Sequence, residues 1–205
     1  MRDGIWGVAV GCAVLVMWGC GERESRNREP APAPEVAARS ESPAPADDAA
    51  APETLEVAIV PKSGSTLQGT ARLEQRSDGV FVSVDLANAP VGRHGLHFHE
   101  TADCSAPDAE SAGEHFNPSS EPHGLPPAEP RHLGDLGNID VTEQGGQFQM
   151  LVPGATLATG DPQSLLDRAI VVHANEDSGA QPSGDAGDRI GCGEIRGARA
   201  FSARS

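Results

Sequence analysis

From residue 54 to residue 196, short runs of branched apolar residues alternate with breaks rich in Gly, Pro, Asn and Asp. Runs of this length between turn-forming residues are typical of β-strands. Eight strands are predicted, at Thr54–Val60, Leu67–Glu74, Val80–Ala87, Gly95–Glu100, Asn138–Thr142, Gln147–Leu151, Ala169–His173 and Glu194–Arg196. No segment shows the period of a helix of three turns, although 164–168 is expected to form one short turn. The predicted fold class is therefore all-β.

Three connections between these strands are informative. Ser77-Asp78-Gly79 predicts a tight turn between the second and third strands, because glycine tolerates positive φ, and these strands should be antiparallel neighbours. Segments 101–137 and 174–191 show neither strand nor helix periodicity. Structureless loops of that length are usually functional in a compact domain. Both loops are therefore the places to look for a site.

His97-Phe98-His99 lies inside a predicted strand, where side chains alternate between faces. Both imidazoles should therefore lie on one face, with Phe98 on the other. A pair of this kind taken alone is more often surface polarity than a metal site, so further ligands are needed to decide between the two interpretations.

The first long loop supplies further ligand types, with intervals of eight, nine and three residues along His115, His123, His132 and Asp135. Three imidazoles and one carboxylate can form a closed tetrahedral site that suits zinc. Any one of these histidines could belong to a solvated polar loop, but that interpretation weakens for all of them together. His173, which ends an apolar strand, is a further candidate, and His94 is expected to be structural.

Five motifs in this order make residues 54–196 resemble the copper/zinc superoxide dismutase family. They are GLHFHE at 95–100, GEHFNP at 113–118, RHLGDLGN at 131–138, VVHA at 171–174 and GDRIGCG at 187–193. The resemblance implies an eight-stranded antiparallel Greek-key β-barrel or sandwich with two long functional loops. It implies dismutation of superoxide to O₂ and H₂O₂ by a redox-cycling copper with a structural zinc, one of each per chain.

The resemblance also assigns the metal ligands. Copper would be held by His97, His99, His115 and His173. Zinc would be held by His115, His123, His132 and Asp135. His115 would bridge the ions, because two divalent cations lower the second ring-proton pKa enough for both nitrogens to coordinate. Four nitrogen donors suit Cu(II), and copper, unlike zinc, has redox chemistry.

Other roles follow from the same resemblance. His115 would carry a proton during catalysis, and Arg189 would hold the anionic substrate beside copper by charge-assisted hydrogen bonds, unless it is a surface arginine. Asp177 would link a copper histidine to a zinc histidine, although the adjacent Glu176 competes for that assignment. Cys104 and Cys192 would form a disulfide, the alternative being two reduced, buried cysteines.

The N-terminal segment indicates export. Ile5–Trp18 is apolar but too short for an ordinary membrane span, so residues 1–19 are predicted to be a signal peptide. Gly19-Cys20 resembles a lipoprotein cleavage site, with Cys20 lipidated, although ordinary cleavage would discard Cys20. Residues 20–52 would then be the anchor cysteine and a disordered Ala/Pro/Glu-rich linker, with the enzyme domain at 53–205 in the periplasm or cell envelope.

The charge balance limits the partners. The chain carries a formal net charge of −15, and 53–205 hold 22 acidic and 10 basic residues, a charge of −12. This excludes a nucleic-acid partner, which would need a basic face, and leaves the lipid anchor as the only membrane contact. Alternative functions are an envelope copper/zinc-binding or copper-transfer protein without turnover and a tethered immunoglobulin-like sandwich. The oligomeric state stays open.

Overall fold

Eight antiparallel strands close into a barrel in the computed structural model, which describes residues 54–197. They are β1 Thr54–Pro61, β2 Gln68–Arg76, β3 Gly79–Ala87, β4 Gly92–His99, β5 Asp135–Thr142, β6 Gly145–Pro153, β7 Arg168–His173 and β8 Arg189–Ile195. Around the barrel the order is β1-β2-β3-β6-β5-β4-β7-β8. The connections from β3 to β4 and from β6 to β7 therefore skip neighbouring strands, which is Greek-key topology. The all-β, eight-stranded prediction is confirmed.

The largest difference from the predicted strands is at β8, which begins at Arg189 rather than Glu194. Glycine is poor in strands, so the glycines of this segment concealed the strand in the sequence. The structure shows why they are there. A Cβ on Gly191 would lie 2.7 Å from Leu67 Cδ2, and one on Gly193 would lie 2.9 Å from Val57 Cγ1. The glycines allow β8 to approach the core side chains closely.

Between β2 and β3 the predicted turn is confirmed, with Arg76 paired to Gly79. A Cβ on Gly79 would lie 2.2 Å from the Val152 carbonyl oxygen, and the φ of Gly79 is +154°. Only glycine fits both conditions. Along β3 the alternation then places one face in the barrel core, with buried Val80, Val82, Val84 and Leu86.

A second, smaller apolar cluster surrounds a disulfide between Cys104 and Cys192. The bond joins positions 88 residues apart, with Cα atoms 5.9 Å from each other, so the predicted disulfide is confirmed. It ties the start of the first long loop to β8. In the chain-entropy model, closing a loop of this length stabilises the fold by about 4 to 5 kcal/mol.

Helical structure within residues 54–197 is limited to one three-residue 3₁₀ turn at Glu110–Ala112, which was not predicted. The short helical turn expected at 164–168 is instead a β-turn, in which Asp167 has a φ of +60° and the N–H of Arg168, the first residue of β7, donates to the Leu165 carbonyl oxygen at 3.3 Å. No helix in the described part of the chain is long and apolar enough to span a membrane. The predicted signal peptide, Cys20 and the linker lie outside the described residues.

Candidate metal centre

β4 presents His97 and His99 on its outer face, because Leu96 and Phe98 alternate with them and lie in the barrel core. The two imidazoles are nevertheless fully buried, since both long loops cover this face. The expectation that they share one face is met. Burial rules out the interpretation of this pair as surface polarity.

A ring of three backbone hydrogen bonds brings the first loop against β4. The Phe116 N–H donates to Phe98 O at 2.8 Å, Phe98 N–H donates to Gly134 O at 2.9 Å, and Gly134 N–H donates to Phe116 O at 2.9 Å. A Cβ on Gly134 would lie 2.5 Å from Phe98 O, so a larger residue would force the strand and loop apart. This contact places His115 beside His99 in an isolated β-bridge.

Within residues 54–197, three groups of side chains are close enough to hold a metal ion; two match the predicted ligand sets, and the third is His97, His123 and Asp177. The first group is His97, His99, His115 and His173, and the second group is His115, His123, His132 and Asp135. Within each group, one potential ligand atom of every residue lies within 4.8 Å of the others. The structure thus brings together all seven of the predicted ligand residues, and His115 belongs to both groups.

The imidazole rings of the first group are oriented to bind a cation. Nδ1 of His99 lies 2.9 Å from the Gly113 carbonyl oxygen, and Nδ1 of His173 lies 3.1 Å from that of Gly187. Each Nδ1 must therefore carry the ring proton of a neutral imidazole, which leaves both Nε2 atoms as acceptors. Nδ1 of His97 is buried and has no hydrogen-bond partner among residues 54–197. These are the unshared electron pairs that a metal would use.

In the second group three imidazoles surround one carboxylate. The Nδ1 atoms of His115, His123 and His132 lie 3.0, 3.0 and 3.2 Å from oxygens of Asp135. Those of His123 and His132 are close to the carboxylate but not aligned to donate hydrogen bonds to it. Backbone N–H groups of Gly124 and His132 donate to Asp135 Oδ2, each at 3.0 Å, and fix the carboxylate. This donor set fits zinc.

A buried carboxylate, that of Asp177, connects the two groups. Its Oδ2 accepts a hydrogen bond from His97 Nε2 at 2.7 Å, and its Oδ1 accepts one from His123 Nε2 at 3.0 Å. Asn138 fixes the backbone of Asp177, accepting from its N–H at 2.7 Å and donating to its carbonyl at 3.0 Å. Glu176, the competing candidate, instead pairs with Arg93 in an exposed position.

Burial and neighbouring charges set the protonation states in the metal-free protein. Desolvation by burial lowers the pKa of His97 to about 4 and that of His173 to about 3, and lowers the pKa of His99 well below its usual value. Burial also lowers the pKa of His123, but Asp135 and Asp177 outweigh it and raise that pKa to about 9. His123 therefore holds a proton that a metal would displace.

The two carboxylates of the site remain ionised at neutral pH. Burial raises the pKa of Asp135 and of Asp177, but contacts with the neighbouring histidines and backbone N–H groups outweigh burial and hold both well below the usual range. Metal ligation requires deprotonated carboxylates and free ring nitrogens. Both carboxylates therefore already have the form that ligation needs.

A separate pocket of about 200 Å³ reaches His132 of the second group, while the first group faces solvent through its own pocket. The pocket of the first group has a volume of about 180 Å³ and reaches His99, His115 and His173, with Arg189 in its wall. Arg189 Nη1 donates to the Ala109 carbonyl oxygen at 2.9 Å, and its Nε lies 3.7 Å from Glu110 Oε1. The side chains of His123 and Asp135 are completely buried. A small anion entering the pocket beside Arg189 would therefore meet the first group, including the shared His115, but not the buried His123 and Asp135.

Several residues of the site were not assigned a role from the sequence. Asn138 belongs to a recognised motif but received no function, and Glu110 was not predicted to lie beside Arg189. Nothing in the local sequence indicates either contact, because the partners are distant along the chain. His94 is buried between the carbonyl groups of His173 and Pro90, outside both groups, which agrees with its predicted structural role.

Residues 67–195 match the family model described as copper/zinc superoxide dismutase. The chain is 37% identical over 129 residues to a putative Cu-Zn superoxide dismutase of Autographa californica nuclear polyhedrosis virus, covering 60% of this chain and 85% of the relative. It is 37% identical over 144 residues to Cu-Zn superoxide dismutase 1 of Aquifex aeolicus (strain VF5), covering 67% of this chain and 85% of the relative.

Solved structures agree with the sequence relatives. A SOD-like protein from Bacillus subtilis superposes with a TM-score of 0.60 at 30% identity, covering 68% of this chain and 97% of that one. The clock protein EA4 superposes with a TM-score of 0.62 at 31% identity, covering 70% of this chain and 94% of that one. The family binds copper and zinc, which the two groups of side chains fit. The chain belongs to the copper/zinc superoxide dismutase family.

Proposed function

We propose that this protein dismutates superoxide, converting two superoxide anions and two protons into O₂ and H₂O₂. The observation that carries the proposal is the open pocket, which is lined both by three histidines of the first group and by Arg189. Copper held by His97, His99, His115 and His173 would supply one-electron redox chemistry, since it passes between Cu(II) and Cu(I). Zinc held by the second group would have no redox role.

The protein's own contribution begins with orientation. Carbonyl groups hold the Nδ1 atoms of His99 and His173, and Asp177 holds Nε2 of His97. Each ring is therefore fixed with its other nitrogen directed toward the shared centre before any metal arrives. Hydrogen bonds to the ring nitrogen that does not bind the metal set the orientation and the basicity of a histidine ligand.

His115 is proposed to move the proton. Its Nδ1 faces Asp135 in the second group, so its Nε2 is the atom available to the first group. The residue lines the pocket and is 5% exposed, so substrate in the pocket can reach its side chain. A proton held at Nε2 can pass to the reduced oxygen species, and the nitrogen is then free again.

Arg189 is proposed to bind the superoxide anion. Its side chain is anchored by the Ala109 carbonyl, which leaves other guanidinium N–H groups for a ligand in the pocket. The charge of Glu110 lies close enough to Nε to weaken the field of this arginine. Arg189 therefore acts at short range, by charge-assisted hydrogen bonds, rather than by attraction over a distance.

The cellular location is part of the proposal. We infer that residues 1–19 direct export and that Cys20 carries a lipid, so that the linker at 20–52 tethers the domain in the cell envelope. The Cys104–Cys192 disulfide supports an oxidising compartment. Fractionation with mass analysis tests this: a membrane-bound form with a lipid-modified Cys20 is expected, and Cys20→Ser should release it. An unprocessed soluble protein would contradict the anchor.

Metal content measured together with dismutase activity tests the function. We expect about one copper and one zinc per chain, as the two ligand groups indicate, and rapid removal of superoxide generated by pulse radiolysis. Arg189→Leu should keep both metals and lower kcat/KM. Copper and zinc loading without dismutation would favour the copper-transfer alternative. A protein that binds neither metal would contradict both functions.

A further inference from the structure

The carboxamide of Gln181 pairs with both backbone polar groups of His123. The His123 N–H donates to Gln181 Oε1 at 3.1 Å, and Gln181 Nε2 donates to the His123 carbonyl oxygen at 2.8 Å. The two residues are 58 positions apart and lie on different loops. Among residues 54–197, no other hydrogen bond reaches these two backbone groups of His123.

The same loop also covers the ring of His123. Ser178 N–H donates to the Gly184 carbonyl at 2.8 Å and closes the loop into a compact turn. Immediately before this turn, Asp177 Oδ1 lies 3.0 Å from His123 Nε2. A Cβ on Gly184 would lie 2.9 Å from that same nitrogen. The loop that contains Gln181 therefore contacts both the backbone and the ring Nε2 of His123, and the ring Nδ1 remains available as a ligand in the second group.

We propose that Gln181 is a positioning residue for His123 that slows the loss of zinc from the second group; this rests on the zinc assignment in the proposed function. His123 lies in a segment with no strand or helix of its own, so its backbone depends on Gln181 for partners. Without them the segment can swing outward and carry Nδ1 away from Asp135. Loss of such supporting contacts typically lowers metal affinity ten- to a hundredfold.

Substitutions of graded severity test this role. Gln181→Met keeps the length of the side chain but removes both hydrogen bonds, whereas Gln181→Glu keeps the acceptor for the His123 N–H. Gln68→Met is the matched control, because Gln68 is exposed at the start of β2 and belongs to neither loop. Zinc release to a chromogenic chelator, copper release, and the visible spectrum of Co(II) in the second group are measured on the full chain.

For Gln181→Met we expect zinc release about ten- to a hundredfold faster and an altered Co(II) spectrum, with copper release unchanged. Gln181→Glu should fall between this variant and the unsubstituted protein, and it decides the question if Gln181→Met fails to fold. Unchanged zinc release, or equal acceleration of zinc and copper release, would overturn the role of Gln181. An unsubstituted protein that takes up neither zinc nor Co(II) in the second group would overturn the zinc assignment as well.

Discussion

The Nε2 atoms of His99 and His173 lie 3.4 Å apart, while the Nδ1 atom of each ring faces a backbone carbonyl oxygen. Two neutral imidazoles in these tautomers direct lone pairs at each other. That contact is unfavourable unless a proton or cation lies between the nitrogens. Burial and neighbouring positive charges lower the pKa of both rings, so a proton is disfavoured and a metal is the better partner.

Replacing the shared histidine should affect both metals. In His115→Ala each group loses one ligand. Loss of a contact that only supports a ligand typically lowers metal affinity about tenfold or more, so we expect loss of the ligand itself to lower the copper and zinc affinities by at least tenfold. Dismutase activity should be lost. Metal analysis after dialysis against a weak chelator measures the effect.

His94→Ala is the matched control for that experiment. His94 is buried and contacts the carbonyl groups of His173 and Pro90, but it belongs to neither ligand group. Its loss should cost about 1 to 3 kcal/mol of unfolding free energy and leave metal loading nearly intact. Equal loss of metal in the two variants would contradict the ligand assignment.

Residue types, spacing and strand alternation are local properties of the sequence and indicated a metal site, and the resemblance to the family then assigned each ligand to copper or zinc. His97 and His99 illustrate this, since alternation along β4 alone places them on one face. The supporting contacts were not predictable. Asn138 reaches Asp177 across 39 residues and Gln181 reaches His123 across 58, and only the folded chain brings these pairs together. Gly134 likewise has a role only because another backbone lies against it.

Increasing ionic strength should lower kcat/KM only modestly, or even raise it. Glu110, Glu114 and Asp185 line the pocket with Arg189, and residues 53–205 carry a charge of −12. Salt therefore screens a field that repels superoxide as much as it attracts it. Rates measured by pulse radiolysis from about 10 mM to 300 mM salt, roughly a sixfold change in Debye length, test this. A steep fall would show that strong attraction exists.

Gly184→Ala should loosen the second group. A Cβ at this position would lie 2.0 Å from Asp177 Oδ1 and 2.9 Å from His123 Nε2, so the Asp177–His123 hydrogen bond must break or shift. We expect zinc affinity to fall by at least tenfold, which is the lower end of the range typical for loss of contacts that support a ligand. Chelator competition measures the affinity.

Gly160→Ala separates that clash from backbone strain. Its φ of +82° is close to the +84° of Gly184, but in the described part of the chain no atom beyond its chain neighbours lies within 4 Å of the added Cβ. Both variants should share a strain of roughly 1 kcal/mol, whereas only Gly184→Ala should lose zinc. Similar zinc affinities in the two variants would show that Gly184 is required only for its backbone conformation.

The metal-free protein should be most stable near pH 6.5 and lose stability on both sides. The folded-state pKa values of His97 and His173 are lowered to about 4 and about 3. Below pH 6.5 these two rings bind more protons in the unfolded chain than in the folded one. The stability that they contribute is therefore lost as pH falls through their folded-state pKa values. The pKa of His123 is raised to about 9, so its contribution is present below pH 6.5 and lost as pH rises through 9.

Urea unfolding of the metal-free protein between pH 3.5 and 10, a span of roughly three units on either side of the unperturbed histidine pKa, measures this profile. Loading with zinc provides the internal control. Zinc replaces the proton of His123, so the loss of stability above neutral pH should disappear in the zinc-bound protein, while acid should still release the metal. A metal-free protein whose stability is constant from pH 6.5 to 10 would show that His123 does not hold its proton between Asp135 and Asp177.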